Sequence, residues 1–282
     1  MSSQVYKQLE FQAVGNWWIL SASDTATDTI LRRLPNGRED IFEDKSINLR
    51  AKRSLMKFLK FVVDYQSHPE TWESFAEDSL PSFLWTQFQL PPHLQTIIIA
   101  LTLSLDTPED TSVGYSLSRI ARHLTSIGMF GPGFGAVLPK WGGGAEIAQV
   151  ACRAGAVGGG VYVLGTGITS ITTNLNSPVE VTLSNGEIVK TKLVVQDVSS
   201  DKPSPDSKAV SRLVTVVSTP LLSLFERTIE GSPLAAVSVV VFPPDSLATH
   251  SNTHTHPVYI MAHSSETGEC PTGQSQYISI LL

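Results

Sequence analysis

The sequence predicts a mixed α and β protein in which an all-helical block is inserted into a strand-rich domain. Three observations carry this reading. Residues 1–45 are dominated by aromatic and β-branched runs broken by turn residues. Residues 46–127 switch to apolar residues spaced for helices. Residues 128–282 switch back to short alternating runs with a hairpin signal. The domains are therefore expected at 1–45 and 128–282, two parts of one large strand-rich domain, with 46–127 as the helical insertion.

Taken in order, "VYKQLEFQAV" and "NWWIL" read as strands, and "LPNGRED" as a turn. In "SINLRAKRSLMKFLKFVVDYQS", Leu55, Met56, Leu59, Val62 and Val63 recur at i, i+1, i+4, i+7 and i+8, an apolar helical face. Arg50, Lys52, Arg53, Lys57 and Lys60 fall mostly on other faces and read as a solvated stripe. Helical patterns continue through "PETWESFAED", "PSFLWTQFQ", "PPHLQTIIIALTLSL" and "VGYSLSRIARHLTSIG", with Pro69, Pro81, Pro91 and Pro92 where helices start. Beyond Gly128, "GAVLPKW" is a poor strand, whereas "GGGVYVLG" and "ITSITTN" read as strands. "VEVTLSNGEIVKTKLVVQDV" predicts a hairpin closed by a type I′ turn at Asn185-Gly186. "SRLVTVVST", "AVSVVVFPP", "PVYIMAH" and "QYISILL" complete the strands, and "SSDKPSPDSK" and "ATHSNTHTHP" are polar loops.

Composition removes several functions. The formal net charge is −6, which disfavours nucleic-acid binding, because a bound polyanion needs clustered Lys and Arg. The longest apolar run, Thr96 to Leu105, is about ten residues, half of what a bilayer-crossing helix needs. The first thirty residues lack the order of a signal peptide. Cys152 and Cys270 give no disulfide framework, so the expectation is a reduced, cytoplasmic protein. Both ends open and close on strand-like residues, as an interior piece of a longer design would.

The stretch "LPKWGGGAEIAQVACRAGAVGGGVYVLG" resembles a nucleotide loop but fails as one. A dinucleotide fingerprint needs G-x-G-x-x-G after a strand, and here Glu146 stands in the first helical turn, where it would repel phosphate. Glu146 and Arg153 are seven residues apart and therefore share a helical face. Gly142, Gly143 and Gly144 precede that helix, and Gly158 and Gly159 follow it. This reads either as a capped surface helix or as a rigid platform offering one acid and one base to a partner protein. His250, His254, His256 and His263 lack an acidic or cysteine partner at ligand spacing, so no metal is expected. His68, His93 and His123 read as partly exposed surface positions. No G-x-S-x-G and no cysteine in a catalytic setting occurs. "TIIIALTLSL" is apolar nearly all round, the pattern of a buried helix or of one wall of a greasy cavity.

Two segments, "NGREDIFEDKSINLRAKRSLMKFLKFVVDY" and "SIGMFGPGFGAVLPKWGGGAEIAQVACRAGAVGGGVYVLG", resemble the Rab escort proteins, the accessory component A of Rab geranylgeranyltransferase, with the Rab GDP-dissociation inhibitors as sister group. The resemblance extends over essentially the whole chain, leans towards fungal escort proteins, and implies that the family's N-terminal glycine-rich βαβ unit and C-terminal portion lie outside it. It implies a flavoprotein-like fold (FAD/NAD(P)-binding-like, of α+β or α/β class) with the helical insertion, and no flavin or other cofactor in use. It also implies a non-catalytic function. The protein would bind GDP-form Rab GTPases, present them to the prenyltransferase heterodimer, and shield the geranylgeranyl lipid until transient membrane delivery. The two alternatives are a GDP-dissociation inhibitor that recycles prenylated Rab and, remotely, a flavin-dependent oxidoreductase. Carried over by position, Glu146 and Arg153 match the family's Rab-binding acid and base. Gly142, Gly143, Gly144, Gly158 and Gly159 are read as shaping that platform, and the resemblance makes the apolar stretch Ile97 to Leu105, with Ile97, Ile98 and Leu101, a candidate lining of the prenyl cavity. One extra small residue precedes Glu146 relative to the family's Y-G-x-G-E.

Overall fold

Strand β1 (Phe11–Ala22) organises the sheet because, at twelve residues, it is long enough to take two partners along one edge. In this computed structural model, which describes residues 5–22, 29–35, 41, 44–45, 47–173, 177–195, 208–228, 230–247 and 254–281, its first part pairs antiparallel with β3 (Ala136–Pro139). Its second part pairs with β2 (Thr29–Arg33). On the other edge lies β8 (Val237–Phe242), parallel to β1. The order runs β2-β1-β8-β9-β10-β7, where β9 is Val258–Ser264, β10 is Ser275–Leu281 and β7 is Ser211–Val217. The run "VSVVVF" has no polar alternation beyond Ser238 because β8 is the central strand, buried on both faces. Val14, Trp17 and Ile19 of β1 pack with Val237, Val239, Val241 and Tyr259 as one core. Asn16 is fully buried, and its amide donates to the Glu226 carbonyl at 2.5 Å.

Every regular element described from Leu49 to Ser126 is helical. These are α1 (Leu49–Val63), α2 (Pro69–Trp72), α3 (Leu80–Phe88), α4 (Pro92–Ala100) and α5 (Val113–Ser126), with 3-10 turns after α1 and α2. The prolines sit at the first turns of α2, α3 and α4, where a missing N–H costs nothing. Asn48 caps α1 by accepting the Ala51 N–H at 2.9 Å, and Ser112 caps α5 from the Tyr115 N–H. The buried face of α1 is Ala51, Leu55, Phe58 and Val62, rotated slightly from the expected one. Phe58 is fully buried against Phe88, whereas Val63 is 52% exposed. The basic stripe is also broken, since Lys52 is buried rather than solvated. Phe83, Leu84, Leu94, Ile98, Leu117 and Ile120 complete this second core.

These elements belong to the larger of two compact units, Tyr6–Ile147 with Ala209–Leu282. The smaller is built on Ala148–Lys208. It holds a three-stranded antiparallel sheet of β4 (Ile168–Thr172), β5 (Val179–Leu183) and β6 (Ile188–Thr191). The hairpin is present, but its turn is not type I′. Asn185 keeps a negative φ, the Gly186 N–H donates to the Leu183 carbonyl at 2.9 Å, and only Gly186 takes the left-handed conformation, at φ +87°. That is a type I turn completed by a left-handed glycine, in which Asn185 Oδ1 instead accepts the Glu187 N–H.

Two strand assignments change. "GAVLPKW" does supply a strand, β3, because the first part of β1 offers it an edge. "VYVL", by contrast, is irregular, and Leu164 is 91% exposed. Among the described residues no strand pairs with it. The turn within "LPNGRED", His250 and most of the Ser199–Lys208 loop lie outside the described residues. Among the described residues no helix is long and apolar enough to cross a membrane.

Candidate functional site

The glycine-rich stretch folds as a strand, a tight turn and a helix. After β3 the backbone reverses through Trp141 (φ +74°), Gly142 (φ +155°) and Gly143 (φ +59°), then enters α6 (Gly144–Val157). Gly142 and Gly143 therefore occupy conformations that favour glycine. Gly144 does not, since its φ is not positive and a Cβ there would meet open space. The far end of α6 closes as a Schellman motif. The Gly160 N–H donates to the Gly155 carbonyl at 2.8 Å, the Gly159 N–H donates to Ala156 at 3.0 Å, and Gly159 takes the left-handed position at φ +90°. Gly158 occupies the residue before it without positive φ.

Glu146 lies in the first turn of α6 and Arg153 two turns on, at a rise of about 10 Å along the same face. Glu146 is half-buried and Arg153 exposed, and among the described residues neither side chain takes part in an ion pair. An acid at the positive end of the helix is favoured by the dipole. This turn does not fit a dinucleotide pyrophosphate: β3 is an antiparallel edge strand, and a carboxylate occupies the first turn where the anion would sit.

A second feature had only a partial sequence signal. Within the larger unit, a cavity of about 570 Å³ opens between the sheet and the helices. Ile97, Ile98 and Leu101 from the end of α4 all line it. Ile98 belongs to the helical core, while Ile97 and Leu101 pack against both cores. Leu55, Leu59 and Val63 of α1, Leu124 of α5, and Trp17 and Ile19 of β1 supply further apolar wall. Trp17 and Ile19 alternate as one face of a strand does, but nothing in the sequence alone places that face against the helices. The size falls in the ~300–1,000 Å³ range of small-molecule sites.

His123, expected as a partly exposed position, is half-buried and stands in this wall. Its ring meets Trp17 edge-on, with centroids 4.9 Å apart at 72°. Burial pushes its pKa down from 6.5 to about 4, so this imidazole is neutral at neutral pH, while Arg32, Arg33 and Asp44 add charged groups elsewhere in the lining. The other described histidines do not converge. His256 Nδ1 meets the Leu105 carbonyl at 3.0 Å, and His263 pairs with Glu269. Among the described residues no three ligand-type side chains gather as a metal site.

The sequence matches the GDP dissociation inhibitor family over residues 1–281. It is 33% identical over 279 residues to "Rab proteins geranylgeranyltransferase component A" of Saccharomyces cerevisiae, covering 97% of this chain and 43% of that protein. The chain thus spans less than half the length of that relative. The fold is similar to the crystal structure of Rab GDI from Plasmodium falciparum, with TM-score 0.67 at 17% identity over 98% of this chain and 62% of that one. It is also similar to a redesigned putrescine oxidase, with TM-score 0.54 at 16% identity over 99% and 61%. These likenesses place the larger architecture with Rab GDI and with oxidase-like folds, as the flavoprotein-like resemblance implied.

Proposed function

The chain belongs to the GDP dissociation inhibitor family, and we propose that within it this protein works as a Rab escort protein. It binds a GDP-form Rab GTPase through Glu146 and Arg153, presents the flexible cysteine tail to the Rab geranylgeranyltransferase heterodimer, and holds the attached lipid until membrane delivery. In this reading it is a non-catalytic accessory, uses no cofactor, and is cytoplasmic with transient membrane association. The helical insertion, 46–127, and the flanking segments, 1–45 and 128–282, are its domains.

One observation carries the reading: two opposite charges, unpaired among the described residues, stand on one face of a helix fixed at both ends by glycine turns. The helix fixes the two backbone positions, so docking has only the side chains to order, which favours protein recognition. Arg153 suits a carboxylate on the GTPase, and Glu146 a lysine or arginine. The cavity lined by Ile97, Ile98 and Leu101 supports lipid holding. Burying twenty carbons of an isoprenoid is worth on the order of 16 kcal/mol before ordering costs, so partial enclosure suffices.

The test is capture of unprenylated, GDP-loaded Rab by this chain, with and without the prenyltransferase heterodimer. An escort protein holds unprenylated Rab and assembles the ternary complex. Capture of prenylated Rab alone would instead assign the chain to the inhibitor branch.

A further inference from the structure

The platform helix is preceded by a residue that the pair Glu146 and Arg153 does not explain. Trp141 is 59% exposed, yet its backbone is held in the left-handed region at φ +74°, an unfavourable place for a bulky residue. Three contacts keep it there. Its N–H donates to the Thr267 carbonyl at 3.0 Å. The benzo ring of its indole rests on Gly268, so closely that any Cβ at Gly268 would overlap it. Lys140 places its ammonium 4.8 Å from the indole centroid while pairing with Glu10 at 3.0 Å.

The support beneath is itself anchored. Gln12 of β1 donates to the Glu266 carbonyl at 2.6 Å, Thr267 is fully buried and donates to the Ser264 carbonyl at 2.9 Å, and His263 pairs with Glu269 at the end of the same connection. Gly268, at φ +79°, is the bare position in this seat. A tryptophan serving only the core would bury most of its ring. This one is stiffened and left outside, five residues before Glu146, as a preorganised aromatic contact would be.

We propose that Trp141 is a third element of the GTPase-binding platform, an aromatic anchor that meets an apolar patch on the Rab surface, and that Gly268 is the positioning residue that seats it. The proposal rests on the platform reading above. Tryptophan is among the residues enriched where a few side chains carry most of the binding energy of a protein interface.

The experiment measures the Kd for unprenylated, GDP-loaded Rab, with thermal unfolding of each protein as a fold check. The variants are Trp141→Ala, Trp141→Tyr, Gly268→Ala, the double Trp141→Ala/Gly268→Ala, and Arg153→Glu. Trp141→Ala is expected to weaken binding roughly 10-fold or more, and Trp141→Tyr to restore most of it. Gly268→Ala should weaken binding through the displaced indole, and the double variant should be no weaker than Trp141→Ala alone, because one contact is being removed twice. If Arg153→Glu abolishes binding while Trp141→Ala stays within about twofold of wild type, the anchor is refuted and the platform stands. If Gly268→Ala weakens binding and Trp141→Ala does not, the seat acts by another route and the anchor is equally refuted. If Arg153→Glu binds like wild type, the platform is misassigned and the anchor falls with it.

Discussion

His123 makes the stability of the larger unit depend on pH in a way that can be worked out in advance. Its pKa is about 4 in the folded protein, against 6.5 for the unperturbed group, because the ring is desolvated beside Trp17 in the cavity wall. The folded state therefore prefers the neutral imidazole, and between pH 6.5 and 4 the unfolded chain carries the extra proton. Stability rises with pH across that window and falls as the solution is acidified through it. The full difference of 2.5 pKa units corresponds to about 3 kcal/mol. Integrating between pH 7 and pH 5 gives a loss of about 2 kcal/mol from this one residue. The assay is urea unfolding at both pH values for wild type and for His123→Phe, which keeps an aromatic ring against Trp17 and cannot titrate. Wild type should lose about 2 kcal/mol more than the variant. Equal losses in the two proteins, within about 0.5 kcal/mol, would refute the desolvated, neutral imidazole.

Removing the cap in Asn48→Ala should lower stability by about 1 kcal/mol in chemical denaturation, because the Ala51 N–H loses its acceptor. Gly159→Ala should cost about 1 kcal/mol by forcing a Cβ into the left-handed closing position of α6, whereas Gly144→Ala, with open space and no positive φ, should leave stability within about 0.5 kcal/mol. Ile97→Trp should fill part of the cavity from a half-buried position, and a fluorescent isoprenoid probe should then bind roughly 10-fold more weakly while the α-helical circular dichroism is retained.

Much of the fold was legible because its signals are local. The switch from alternating to helical spacing at residue 46, the prolines at helix starts and the Asn-Gly hairpin each depend on a few neighbouring residues. The misreadings came where partners are distant. "GAVLPKW" is a strand only because β1 has spare edge, and "VYVL" pairs with no strand among the described residues. Phe58 replaces Val63 on the buried face of α1 because Phe88, thirty residues on, receives it.

The site divides in the same way. The spacing of Glu146 and Arg153 could be read directly as one helical face, and the left-handed glycines around α6 have a sequence signature. The seat of Trp141 on Gly268 joins residues 127 positions apart, and the β1 side of the cavity joins Trp17 to His123 across the sheet and helices. Neither contact leaves a local trace. His123 reads as a helical surface histidine until the ring it faces is known.

The central claim is that one face of α6 binds the GTPase. The most direct test titrates unprenylated, GDP-loaded Rab into this chain and into the Arg153→Glu variant, with folding of both verified by circular dichroism. Reversing the charge at Arg153 should weaken binding by roughly 100-fold, as loss of a charge-paired contact plus like-charge repulsion predicts. Undiminished binding by a folded Arg153→Glu protein would contradict the account.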